Sequence, residues 1–210
     1  MQGKCAIPVE ILGVLSQNGH VNEALVLAKL TIHKLDEPTS ERYYEQIRPV
    51  LKEVDGFLGV GLWRSAESGG KHVAIYRYRD FASADAGLEA VSDHRSLTSA
   101  QSVLTTPADV HRCRYLCASG QPLTDAPIGT YLSLSVRTAE PGYGTDLAAE
   151  VERIFEELEL IDGYLGSYIG MNDTLEEEVL GMVTWTQEHA FRSSVPMRPP
   201  YDVQLFRRVI

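Results

Sequence analysis

The segment Val54-Asp55-Gly56-Phe57-Leu58-Gly59 returns 107 positions later as Ile161-Asp162-Gly163-Tyr164-Leu165-Gly166. The same ungapped offset carries Val73-Ala74-Ile75-Tyr76-Arg77-Tyr78 onto Leu180-Gly181-Met182-Val183-Thr184-Trp185. Backwards, it sets Tyr44, Ile47, Leu51 and Val54 on Val151, Ile154, Leu158 and Ile161. Several separate stretches that agree on one offset point to duplication. A period near 107 residues is too long for a solenoid repeat, whose units run to roughly 50 residues. The sequence therefore reads as two copies of one domain, 21–120 and 129–210. A Pro-containing linker lies between them at 121–128, and an extension over 1–20 has no counterpart.

Each copy gives the same order of elements. An extended apolar run opens it, Ala24–Lys34 or Thr130–Thr138. A helix follows, with apolar residues at i, i+3, i+7 and i+10 along one face. Thr39 or Ser40, and Thr145 with Asp146, are expected as its caps, and Pro49 should bend the first helix or shift its start. Gly56 and Gly163 stand where helix hands over to strand and a positive φ is needed. Two strands follow, Phe57–Trp63 with His72–Arg79, and Tyr164–Met171 with Val179–Thr186. A second helix, long in copy one and short in copy two, leads to a closing strand, Val110–Cys117 or Asp202–Ile210. The order βαββαβ is the ferredoxin-like plan, with an antiparallel sheet covered by helices on one face. A bare second face on each sheet predicts that the copies cover one another, as an intramolecular dimeric α+β barrel.

Composition narrows the functional classes. The chain has 210 residues with a formal charge of −10, and 6 basic against 15 acidic residues fall in 121–210. That balance repels phosphate backbones and anionic membranes. No apolar run approaches the roughly 18 residues of a transmembrane helix. Cys5, Cys113 and Cys117 form no CxxC pair, so neither a disulfide framework nor a zinc ribbon is expected, and the expected compartment is the reducing cytoplasm. Cys113 and Cys117, four apart on a strand, are expected on one face as small buried hydrophobes. Arg77 and Arg79, on the face opposite Tyr78, are expected as barrel-interior ion pairs or edge charges. Nucleotide-loop, metalloprotease and calcium-loop patterns are absent.

The stretches IRPVLKEVDGFLGV and HVAIYRYRDFASADAGLEAVSDHRS resemble the antibiotic biosynthesis monooxygenase family of dimeric α+β barrels. IDGYLGSYIG and VLGMVTWTQEHAFRSSVP are similar in copy two, with Trp185 in the aromatic position and no His segment. The resemblance implies a sheet-and-helix pocket for a flat or hydrophobic small molecule. It also implies cofactor-independent oxidation of a small aromatic or quinol-type substrate, which supplies the electrons to oxygen. No Asn stands on either first strand, which disfavours the haem-degrading branch of the family. The rival is a non-catalytic small-molecule-binding or regulatory barrel.

Candidate residues follow from position and chemistry. His94, three past Val91, is either a base for an acidic phenol or enol, or a helix-terminal His meeting carbonyls. Tyr78 and its repeat partner Trp185 are either pocket walls or core aromatics. Tyr76 and His72 share the Tyr78 face by the period of two. Trp63, at the end of its strand, joins Tyr76, His72 and Trp185 as a substrate-binding candidate. No metal site and no bound cofactor are expected. The partner expected is a small molecule, with neither nucleic acid nor membrane, and the reading leaves room for a homodimer.

Overall fold

The computed structural model describes residues 23–92, 94–195 and 201–210, so the extension over 1–20 lies outside the described residues. The strands are β1 (Ala24–Thr31), β2 (Phe57–Ser65), β3 (Lys71–Tyr78), β4 (Asp109–Gly120), β5 (Tyr131–Thr138), β6 (Tyr164–Asn172), β7 (Glu178–Trp185) and β8 (Gln204–Arg208). The helices are α1 (Glu37–Lys52), α2 (Phe81–Ser92), α3 (Arg95–Ser102), α4 (Gly144–Leu158) and α5 (Glu188–Ser194). The strands close into one antiparallel barrel in the order β1-β3-β2-β8-β5-β7-β6-β4. Each copy contributes a four-stranded ferredoxin-like sheet, β4-β1-β3-β2 and β8-β5-β7-β6. Edge pairing of β2 with β8 and β4 with β6 joins the two. Closure leaves no free sheet edge and encloses both bare faces at once. No described helix is long and apolar enough to cross a membrane.

The duplication is visible atom by atom. β1, β2 and β3 map onto β5, β6 and β7 at the 107-residue offset without a gap. The same bulge recurs, between Phe57 and Gly59 and between Tyr164 and Gly166. Gly56 and Gly163 take φ of +82° and +91°, and their carbonyls accept from Arg79 and Thr186 at 2.7 and 2.8 Å. A Cβ on Gly56 would lie 2.3 Å from Ser83 Oγ, and one on Gly163 would lie 2.8 Å from Ala190 Cβ, the repeat partner of Ser83. Gly56→Ala and Gly163→Ala are therefore each expected to cost about 1–3 kcal/mol, from the left-handed backbone and the crowding together. Urea denaturation of the two single variants checks this, and an unchanged midpoint in either would contradict the shared turn geometry.

The barrel interior is apolar through most of its length, built from alternate residues such as Leu25, Leu27, Val73, Ile75, Leu132 and Met182. Its charged groups are few. Arg77 points inward and meets Glu23 at 2.5 Å, both nearly enclosed, whereas Arg79 sits outside on Asp55 at 2.9 Å. The 121–128 segment is not an exposed tether. Leu123, Thr124 and Ala126 are buried, and Leu123 and Ala126 join the barrel core. Arg208 holds this segment: its guanidinium donates to the carbonyls of Leu123, Thr124 and Ala126, and its Nε donates to the Ile210 carbonyl.

Four local expectations need correction. Helix α1 starts at Glu37, ahead of Thr39 and Ser40, with Pro38 in the first turn, where no backbone N–H is required. It then runs through Pro49 to Lys52. In copy two the helix starts at Gly144, where a Cβ would collide with the Glu176 carbonyl, so Thr145 and Asp146 lie inside the first turn. Cys113 and Cys117 do not share a face. The bulge between Tyr115 and Cys117 reverses the alternation, turning Cys113 into the barrel and Cys117 outward under α4. Burial pushes both thiols up to about 12, so neither is a thiolate at neutral pH.

Candidate functional site

The even-numbered residues of β1 and β3 face outward, and α1, α2 and α3 arch over them. Between sheet and helices lies a cavity of about 740 Å³. Val26, Ala28 and Leu30 of β1 form its floor, with Tyr76 and Tyr78 of β3 beside them. Tyr43, Tyr44 and Leu51 of α1 and Ala84, Gly87 and Val91 of α2 make the walls. Helix α3 and the chain after it, through Leu97, Ala100, Leu104 and Pro107, complete the enclosure. Among the described residues copy two shows no counterpart of α3.

The polarity of this cavity comes mainly from phenols. Tyr43 and Tyr44 pack edge to face at 5.1 Å between centroids, and Tyr44 lies 6.2 Å from Tyr76. Burial raises all four phenols: Tyr78 to about 12, and Tyr43, Tyr44 and Tyr76 upward as well. Each is thus a neutral donor and acceptor at pH 7, not a base. Gly87 makes room for this arrangement, since a Cβ there would lie 2.5 Å from the Tyr78 hydroxyl. The carboxylate in the described lining is Asp85, exposed at the mouth and bound to Arg112 at 2.6 Å.

Of the six residues singled out from sequence, the cavity gathers two, Tyr76 and Tyr78. His94 is not in the described lining. It occupies the junction of α2 and α3, where its N–H donates to the Val91 carbonyl and its own carbonyl accepts from Leu97. The helix ends at Ser92, so the stripe that runs through Val91 does not continue to it. Trp63 is also outside the cavity: it points into the barrel, where Arg208 lies over its ring at 5.7 Å. Trp185 lies in copy two, against Tyr164 and Phe191, with its N–H donated to Ser133 Oγ at 3.0 Å. His72 shares the outward face of Tyr78, as alternation requires, but six residues of strand, roughly 20 Å, separate them. Sequence reasoning missed Tyr43 as a wall and missed Asp85 with Arg112. The adjacent tyrosines at 43–44 were the available signal, because Tyr44 falls on the inward stripe with Ile47 and Leu51.

His72 has a different consequence. It is 1% exposed and neither ring nitrogen has a hydrogen-bond partner. Burial lowers its pKa from 6.5, opposed by the Glu37 carboxylate and reinforced by Arg64. The unfolded chain therefore takes up the proton first as pH falls. Stability is fully present above about 6.5, is lost below it, and levels off once the folded form also protonates. Glu37 adds a second loss at lower pH. Burial raises its carboxyl, but the Gly70 amide at 2.9 Å and Arg64 at 3.2 Å outweigh that and hold it below 4.5. His72→Leu is expected to flatten the melting temperature between pH 6.5 and 5 and leave the steeper acid loss. An unchanged slope over that window would refute the assignment.

Solved structures share this architecture. A "putative monooxygenase" from Fusobacterium nucleatum superposes with a TM-score of 0.73 at 11% identity, over 90% of this chain and 94% of that one. A protein of the same description from Lactobacillus acidophilus gives 0.69 at 15% identity, over 89% and 94%. The fold is that of the monooxygenase-type α+β barrels. An anthrone oxidase-like protein shares it too, with a TM-score of 0.65 at 13% identity over 90% of this chain and 92% of that one. No protein-family model matches the chain, and no curated protein matches it.

Proposed function

We propose that the chain is a cofactor-independent monooxygenase that oxidises a small aromatic or quinol-type substrate in the cavity of copy one. The observation that carries this reading is the cavity itself: apolar walls, four neutral phenols, and enough volume for a two- or three-ring molecule. In the simplest case, a CH₂ flanked by aryl groups becomes C=O. One oxygen atom of O₂ is retained, the other leaves as water with the two hydrogens of the CH₂, and no outside reductant is needed. The protein's part is to bind and desolvate the substrate and to donate hydrogen bonds to its oxygen as negative charge develops there. Tyr44 and Tyr76 are the donors for that oxygen, and Tyr78 supplies a ring wall. Asp85, steered by Arg112, is the carboxylate of the lining that takes the substrate proton.

A specific observation favours the rival reading as well. Among the described residues no imidazole lines the cavity, and a binding or sensing role needs none. Oxygen uptake with anthrone and hydroquinone separates the two. Wild type is expected to exceed background, and Tyr76→Phe to lose about tenfold to a hundredfold by removal of one donor. Binding of either compound with uptake at background in both proteins would establish the non-catalytic barrel instead.

A further inference from the structure

Copy two has its own cavity in the equivalent place, of about 360 Å³ between β5, β7 and helices α4 and α5. The 107-residue offset shows how its chemistry diverged. Val26, Ala28 and Leu30, the floor of the first cavity, become Ser133, Ser135 and Arg137. Tyr44 and Tyr76 become Val151 and Val183, so the phenol pair is replaced by aliphatic wall. The floor has turned from apolar to polar, and one of its residues, Arg137, carries a full charge.

The Arg137 side chain is 11% exposed and lines this cavity. Its Nε is buried without a hydrogen-bond partner. The Tyr201 ring lies flat against the guanidinium, 3.3 Å from its carbon to the ring centroid. Its counter-charge among the described residues is Glu150, 3.6 Å from Nη1 and half exposed. Such a distance is a loose ion pair, and it leaves the Nε edge of the fork unused. A guanidinium held against an aromatic ring, lining a cavity and only loosely paired, is an arrangement that receives a carboxylate through charge-assisted hydrogen bonds. Phe155, Leu158, Val183 and Phe191 give the described lining a large apolar surface.

We propose that the copy-two cavity is a second binding site, separate from the copy-one cavity, for a small carboxylic acid with an apolar body. Arg137 anchors the carboxylate, Ser135 lies on the floor beside it, and the body rests among the aromatic and aliphatic residues of α4, α5 and β7. Glu150 is the intrinsic competitor for the same charge.

Isothermal titration with 1-naphthoate and with its methyl ester, on the full-length chain, tests the assignment. Wild type is expected to bind the acid at least tenfold more tightly than the ester. Arg137→Met, which keeps an apolar stem of similar length while deleting the fork, is expected to abolish that preference. Glu150→Gln, a surface change that cannot empty the core, is expected to strengthen acid binding several-fold. Ala84→Phe, which fills the other cavity, is expected to leave the acid preference in place. Equal affinity for acid and ester in wild type, a preference that survives in Arg137→Met, or one lost in Ala84→Phe overturns the proposal.

Discussion

Arg208→Met is expected to lower the unfolding free energy by about 3–5 kcal/mol, the scale for removing a buried charge that satisfies several buried partners. The side chain is 5% exposed and donates to the carbonyls of Leu123, Thr124, Ala126 and Ile210. Those first three carbonyls belong to the buried residues of the passage between the copies, Leu123, Thr124 and Ala126. Methionine matches the stem in bulk but leaves the carbonyls without partners. Burial, reinforced by Arg48, lowers the Arg208 pKa to about 10, so the group stays charged at neutral pH and the loss should not vary between pH 6 and 8. Urea denaturation followed by tryptophan fluorescence reads it directly, because Trp63 lies beneath the guanidinium. A loss below about 1 kcal/mol, the net worth of one ordinary hydrogen bond, would show that the 121–128 segment is held by its apolar residues alone.

Ala84→Phe should have the largest effect on function and little on stability. Ala84 lines the copy-one cavity, and its repeat partner is Phe191, which packs against Trp185 at 6.5 Å between centroids. The substitution thus writes into copy one a side chain that copy two already accommodates at the same place. Filling empty space also adds apolar contact, which offsets the strain of a larger residue. Binding of anthrone or hydroquinone is expected to fall by a hundredfold or more, with a melting temperature within a few degrees of wild type. Retained binding would place the ligand elsewhere and overturn the copy-one assignment.

The elements were legible because duplication makes one chain read as two aligned sequences. Agreement at Gly56 and Gly163, and at Tyr78 and Trp185, turns weak local signals into a consistent βαββαβ order. The floor of the cavity followed from strand alternation, since Tyr76 and Tyr78 must lie on one side of β3. What alternation could not supply was anything that depends on a break in the period. The bulge in β4 sent Cys113 and Cys117 to opposite faces. The end of α2 at Ser92 took His94 off the stripe that Val91 begins.

Sequence by itself determined the two-copy plan, because backbone conformation and apolar spacing are local and repeat wherever the residues repeat. Tertiary structure alone decided which side of the barrel wall a residue such as Trp63 faces. It also decided how the buried residues of the 121–128 segment are held and how the same cavity became phenolic in one copy and cationic in the other. Those outcomes depend on side chains brought together from distant strands and helices, and the closing of eight strands into a ring sets those neighbours.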